Sequence, residues 1–477
     1  MKGGALLSNF NRIYRTHQVW IKPGHRLFAY LDQTCQHAKN LYNTTNFYVR
    51  QIITSFRQKQ SLQPLQQQVL DILEEHIDLM NKRRRGQNRS QAFQLPSEEQ
   101  PFVDYNFLDA LFKVMNQVNY RALPAQSSQG IMKVVFQNWK AFFSSIKDYR
   151  KHPGKHSGKP RIPGYARNRV KEVVFSNQDC VIQERKFLKF PKTKLRLNIG
   201  KLGYTDGKLM QVRVVPRHGH YVVEMIFSCV MKQKTVEQPH VLAIDLGIEN
   251  LATMVTTTGA KPVIVKGKII KAMNQYYNKM KAHYTSVLRQ SKKPSEGTFT
   301  SKRLERLHLK RYRRMKDLFH KTSYHIVQLA VQQNTGTIII GHHNGWKYAP
   351  EMGRKNNQSF CHIPHQMLIA MITYKATEQG IAVILTEEAY TSKASFIAKD
   401  PLPRYDEKGS RSFSGKRVHR GMYKCTKGLI HADVNGAANI MRKVFPNVSA
   451  QGTDGIEGLD GHQTINVSTP LVLSILK

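Results

Sequence analysis

Two stretches near the start of the chain, RLFAYLDQTCQHAKNLYNTTNFYVRQIITSF (26–56) and QGIMKVVFQNWKAFFSSIKDYR (129–150), carry apolar residues at three- and four-residue spacing. That spacing predicts amphipathic helices. A strand-like THQVWIKPG (16–24) precedes the first of them. After residue 150 the period changes. HPGKHSGKPRIPGYARN (152–168) is basic and rich in Pro and Gly, so it cannot be a core helix. EVVFSN, KLRLNI, MQVRVVPR and YVVEMIFSCV follow as alternating runs, which predict a small antiparallel barrel or sandwich over about 155–235.

From residue 240 the texture is that of an α/β domain. HVLAIDLGIENLATMVTTTG predicts two buried strands joined by a turn, and KPVIVKG a third. One long helical stretch is expected from Ile269 to Gln333, then a strand at GTIIIG, a helix at HQMLIAMITYKATEQG, a strand at IAVILTEE and a last helix at HADVNGAANIMRKVF. Three strands, then helix, strand, helix, strand and helix make up the connectivity of a ribonuclease-H-like domain. The expected organisation is multidomain α+β. It comprises an N-terminal strand (1–25), a helical domain (26–150), a small β-barrel (151–237), the ribonuclease-H-like domain (238–446) and a flexible tail (447–477). The four glycines of QGTDGIEGLDG support the tail, although TPLVLSIL after them is apolar enough to dock.

Composition sharpens this. With 477 residues the chain is too long for one core. It carries 74 Lys plus Arg against 32 Asp plus Glu, a net charge of +42. Such an excess repels itself unless a polyanion neutralises it, which makes nucleic acid the expected partner. No apolar run approaches the ~20 residues of a spanning helix, and no signal peptide begins the chain, so no membrane partner is expected. The five cysteines form no CxxC pair, which argues against a disulfide scaffold or a zinc ribbon and for a reduced, cytoplasmic protein. Cys361, His362 and His365 have ligand-like chemistry, but they open an amphipathic helix.

Four acidic residues stand out. Asp245 ends a buried run, where an unpaired charge is costly. It is either a structural carboxylate or one that meets a cation. Asp433 opens the last helix, as its N-cap or as a ligand. Together they meet the requirement of two-metal phosphodiester hydrolysis, in which Mg²⁺ ions about 4 Å apart take carboxylates from different elements. Glu387 and Glu388 end IAVILTEE, and strand-end geometry alone allows either to point at such a site or at solvent. A basic run places Lys302, Arg306, Lys310, Arg313 and Lys316 or Asp317 at helical spacing, with Arg303, Arg311 and Arg314 beside them and few acids interleaved. Phosphate contacts are expected there, and at Lys159 and Arg161 in the basic loop.

In their order, AIDLGIENLAT, LKRYRRMKDLFHKTSYHIVQLA, YTSKAS and ADVNGAANI resemble the RuvC-type nuclease domain of the transposon-encoded TnpB (OrfB) proteins. These are RNA-guided nucleases related to type V CRISPR effectors and to Fanzors. LPAQSSQGI, WKAFFSSIK and GKPRIPGY resemble the family's N-terminal half more weakly. The resemblance implies a helical recognition lobe, a wedge barrel and a RuvC nuclease that cuts DNA next to a short motif. It also implies two Mg²⁺, a guide RNA from the transposon end, a double-stranded DNA target and a monomer working at the prokaryotic nucleoid. Two departures matter. Most relatives end the TIIIG strand on an acid, whereas here Gly341-His342-His343-Asn344 follows. Some relatives instead carry a relocated glutamate three residues before the Thr of TSK, the position of Glu388. Ser395 stands where the first zinc cysteine would be and Cys425 is alone, so no zinc is expected. The resemblance thus implies Asp245, Glu388 and Asp433 as metal ligands, with Glu387 as the alternative. For Asn435 two readings stay open, orienting Asp433 or a bound water, and lying on the helix surface. The missing acid at Gly341 keeps a second function in view, an RNA-guided DNA-binding transcriptional regulator whose nuclease has decayed. A strand-joining transposase is a third.

Overall fold

The computed structural model describes residues 12–58, 61–87, 91–200, 207–230, 239–293, 296–342, 362–404, 407, 412–419, 421–426, 428–450, 464–473 and 475. The chain divides into two compact units, Met1–Met231 and Lys232–Lys477.

In the first unit, β1 (Arg12–Ile21) leads into helices α1 (Phe28–Ser55), α2 (Pro64–Arg85), α3 (Tyr105–Val114), α4 (Val118–Ala122) and α5 (Ala125–Lys151). Six strands follow: β2 (Val173–Ser176), β3 (Val181–Gln183), β4 (Phe187–Lys189), β5 (Arg196–Asn198), β6 (Lys208–Arg217) and β7 (His220–Val230). They form two antiparallel sheets, β1-β7-β6-β2 and β3-β4-β5. One core runs through helices and sheets alike, from Leu31 and Leu41 on α1 through Trp139 on α5 to Val223 on β7. The Pro/Gly-rich segment before β2 lies along α1. There Asn46 Nδ2 donates to the carbonyls of Pro163 and Gly164 (both 3.1 Å), and Arg50 donates to Pro163 (3.0 Å).

The second unit begins with β8 (His240–Asp245), β9 (Asn250–Thr256) and β10 (Val263–Lys266), followed by α6 (Lys268–Arg289), α7 (Lys302–Gln332) and β11 (Thr335–Gly341). It continues with α8 (His365–Glu378), β12 (Ala382–Thr386), the ribbon β13 (Lys416–His419), β14 (Met422–Cys425) and β15 (Gly428–His431), and α9 (Ala432–Val444). Short strands β16 (Ser449–Ala450), β17 (Thr464–Ile465) and β18 (Leu471–Leu473) close the chain. The main sheet runs β12-β11-β8-β9-β10-β18. In it β11 is parallel to both β8 and β12, and β9 is antiparallel to β8 and β10. Without β18 this is the strand order of a ribonuclease-H-like sheet. Alternation along β8 sends Leu242 and Ile244 into the core with α7 and α8, and Val241 and Ala243 into the core with α9. Eight of the last helix's ten buried positions are small or medium apolar or amide side chains between Ala432 and Ile440, which lets it lie close on the sheet.

Three expectations need correction. The helical stretch 269–333 is two helices, because SKKPSEGTFTS between them contains Pro294 and Gly297, which cannot continue a helix. The strand IAVILTEE ends at Thr386, and as an edge strand it leaves Leu385 50% exposed. The tail is not wholly flexible, since Leu471–Leu473 adds a parallel strand to β10 and completes that edge with its own backbone bonds. Residues 451–463, which carry the four glycines, lie outside the described residues, as do Cys361 and His343–Asn344.

Candidate active site

Asp245 is the last residue of β8 and points to the α9 side of the sheet. A Cβ added at Gly436 would lie 2.7 Å from its Oδ2, so glycine is what lets the helix pass this close to the carboxylate. Burial, and then the neighbouring Asp433 carboxylate, push Asp245 up to about 7, while Arg417 pulls the other way. Among the described residues its environment consists of these charges and no hydrogen-bond donor.

Asp433 is not the helix N-cap. His431 takes that place, its Nδ1 accepting from the Asp433 N–H (3.3 Å), and this releases the Asp433 carboxylate for tertiary contacts. Asn250 Nδ2 donates to Oδ2 at 2.6 Å and Arg417 donates to Oδ1 at 3.0 Å. Lys266 Nζ in turn donates to Asn250 Oδ1 (3.1 Å), which fixes that amide with its NH₂ toward Asp433. Asp433 also sits in the first turn, where the helix dipole favours a negative charge. Burial first, then Lys266 and Arg417, lower the pKa of His431 against the opposing pull of Asp433, which keeps its Nδ1 an acceptor.

The two glutamates diverge. Glu387 reaches toward α9, 3.6 Å from Lys443 Nζ. Glu388 instead reaches toward β11, where a Cβ added at Gly341 would lie 3.2 Å from its Oε2 and 2.5 Å from Ile440 Cδ1. Gly341 pairs with Thr386 on β12, and the residue before it, Ile340, pairs with Ile244 on β8. The bare glycine therefore lies between the strand ends of Asp245 and Glu388, and the Glu388 carboxylate takes up space that a side chain at 341 would need. Among the described residues no three His, Cys, Asp or Glu side chains converge closely enough to hold one ion. Asp245 and Asp433 are electrostatically paired, and Glu388 follows β12, two strands from β8 across β11.

The model of the family OrfB_IS605, described as probable transposase, matches residues 218–347, and that of the Cas12f1-like TNB domain matches residues 365–440. Both matches fall within residues 218–440 and leave the first 217 residues unmatched. Solved structures similar to it include a Cas12f1–sgRNA–target DNA complex, at 13% identity and TM-score 0.45, covering 87% of this chain and 82% of that one. Another is the mini-RNA-guided endonuclease CRISPR-Cas_phi3, at 10% identity and TM-score 0.40, covering 90% and 92%. No curated protein matches the sequence.

Of the basic residues expected to contact phosphate, Lys302, Arg303, Arg306, Lys310, Arg313 and Arg314 are exposed along α7, and Lys159 and Arg161 are exposed in the first unit. Arg311 is a correction. Its Nε donates to Asn274 Oδ1 (2.8 Å), a terminal nitrogen donates to the His362 carbonyl (2.7 Å), and the guanidinium lies 4.7 Å from the Tyr277 ring centroid. Arg311 ties α7 to α6 and to the start of α8, because its apolar stem faces inward on the helix. Asn435 is corrected as well, since it is fully buried and not on the helix surface. Its Oδ1 accepts from Phe396 N (2.9 Å) and its Nδ2 donates to the Ala394 carbonyl (2.8 Å), so it clamps the loop after Glu388 to α9. Asn439 repeats the clamp on Thr391 and Ala394.

Sequence reasoning missed Asn250, Lys266, Arg417 and Gly436. Only Asn250 and Gly436 fall inside the blocks that carry the resemblance, and nothing in sequence spacing pairs Arg417 with Asp433.

Proposed function

We propose that the chain is an Mg²⁺-dependent, RNA-guided DNA endonuclease that cuts a double-stranded target next to a short motif by two-metal hydrolysis. One observation carries the reading: Asp245, half-buried and without a hydrogen-bond donor among the described residues, faces a second carboxylate at the mouth of a ribonuclease-H-like sheet. Two carboxylates facing each other are an electrostatic liability that a hard, oxygen-seeking divalent cation converts into a binding site. The donor set thus suits Mg²⁺, with Asp245 and Asp433 as ligands and Glu388, rather than Glu387, as the third. When bound, the ions would supply a nucleophilic water and charge stabilisation at the leaving 3′ oxygen. The chain's own residues do the positioning. Asn250 and Arg417 hold the two oxygens of Asp433, the glycine at 436 admits Asp245, and the glycine at 341 gives Glu388 its room. The Arg417 guanidinium occupies a cation's place on Asp433, so it must share that carboxylate with any metal.

Magnesium titrated into metal-free protein should raise the melting temperature, as any ligand of the folded state does. No shift at millimolar Mg²⁺ would count against the carboxylates as a metal site.

The α7 charges and the +42 balance support nucleic-acid binding dominated by phosphate contacts. RNA affinity should fall on the order of tenfold or more between 50 and 200 mM salt, and a flat response would contradict this.

The ribbon that carries zinc in relatives is organised here by side chains. Asp400 Oδ2 accepts from the N–H of Ser395 (2.8 Å) and of Ser414 (3.0 Å). The buried Tyr423 hydroxyl donates to the Lys393 carbonyl (2.8 Å), and Cys425 packs beside Tyr423. Elemental analysis of the purified protein should find well under one zinc per chain. A stoichiometric zinc would point to ligands around His362 and His365.

A further inference from the structure

The nuclease reading leaves without a role the basic run NKRRRGQNRS (81–90), whose Asn81–Arg85 form the end of α2. In the first unit the described part of it, residues 81–87, borders a cavity of about 440 Å³ formed with α3, α4 and α5. Five cations line the cavity: Arg83, Arg84, Lys113, Arg121 and Lys133. The one carboxylate there, Asp109, is already engaged by Lys113 Nζ (2.6 Å) and the Tyr120 hydroxyl (2.7 Å). The cavity is therefore strongly positive inside as well as at its rim.

Its floor is aromatic. The Arg84 guanidinium lies 4.4 Å from the Phe93 ring centroid and Lys133 Nζ lies 5.2 Å from that of Tyr105. Edge contacts fix both rings, Phe93 on Phe107 (5.4 Å) and Tyr105 on Phe136 (6.1 Å). Arg84 Nε donates to the Gln91 carbonyl, and Arg121 donates to the Lys113 carbonyl (2.7 Å). These bonds orient each guanidinium and leave it further N–H groups to offer. Planar guanidinium–aromatic stacks are platforms for nucleobases, and oriented guanidinium forks bind phosphate. The volume lies in the range of small-ligand sites.

We propose that this cavity holds one nucleotide of a bound single strand, with the base against the Arg84–Phe93 stack and the phosphate on Arg83 and Arg121. A solvated basic face would need neither the concavity nor the aromatic floor. The inference stands whether or not the carboxylates of the other unit cut DNA.

The test uses the full chain with two photoactivatable probes, a single-stranded RNA bearing 4-thiouridine and a single-stranded DNA bearing 4-thiothymidine, with adducts mapped by mass spectrometry. Adducts on Phe93, Tyr105 or the residues beside them are expected. Ala110→Leu fills the cavity without changing charge, and Arg84→Gln removes the platform. Either should cut adduct yield at this site by about fivefold or more, in line with the usual worth of a stacked base. If one variant misfolds by its melting curve, the other still decides. Adducts with the RNA probe alone assign the site to RNA, and adducts with both assign it to either strand. The proposal is overturned if bound probes cross-link only elsewhere, or if yield at Phe93 and Tyr105 is unchanged in a folded variant.

Discussion

Glu388→Gln should abolish DNA cleavage, by roughly a thousandfold or more, and spare RNA-guided binding. The amide keeps the shape of the side chain and removes the charge that a hard cation requires. Glu387→Gln should cut nearly as wild type. The reason is where the two carboxylates go after β12 ends at Thr386: Glu387 to Lys443 Nζ at 3.6 Å, Glu388 to the space in front of Gly341. Burial holds the Lys443 ammonium below the usual lysine range and Glu387 works against that, so Glu387→Gln should cost some stability at the α9 end instead of activity. The reverse cleavage pattern would exchange the two roles. Wild-type cutting by both variants would make the glutamates a solvated strand end.

Asp245→Asn should separate stability from activity still more clearly. In the metal-free protein Asp245 is a half-buried carboxylate pushed up to about 7 by desolvation and by Asp433. A carboxyl raised above its unfolded value leaves the fold most stable at low pH, with that stability lost as pH rises from about 4 through about 7. At pH 8 the amide, which carries no charge, should therefore melt several degrees higher than wild type. It should also lose the Mg²⁺-dependent rise in melting temperature and all cleavage. Calorimetry at pH 8 with and without Mg²⁺ checks both halves. A destabilised Asp245→Asn would mean that the carboxylate serves the fold, and the metal reading would lose its main support.

The parts of this fold that were legible in the sequence are those in which one physical signal dominates. The near-continuous apolar run around Asp245 could only be a strand buried on both faces, and the small-residue face of ADVNGAANI could only be a helix packed tightly. The order of elements then gave the sheet topology. Less legible was whatever depends on long-range contact. Asn250 and Asp433 are 183 residues apart, and no periodicity joins them. Arg311 read as one more charge in a basic run because spacing reports the helix face and not the partner a long side chain finds. The divergence of Glu387 and Glu388 arises just past the last ladder pair, where strict alternation no longer governs direction. Gly341 read as a missing acid, but in three dimensions it is also the clearance that Glu388 occupies.

The central claim is that Asp245, Asp433 and Glu388 together cut DNA. It is tested most directly by purifying the protein with co-expressed transposon-end RNA and incubating the complex with a plasmid that carries the guide's target. Mg²⁺ should give linear or nicked plasmid, and EDTA or Asp245→Asn should leave it supercoiled but bound. If the wild-type complex binds the plasmid in Mg²⁺ and never cuts it, the chain is an RNA-guided DNA-binding regulator and the nuclease account is wrong.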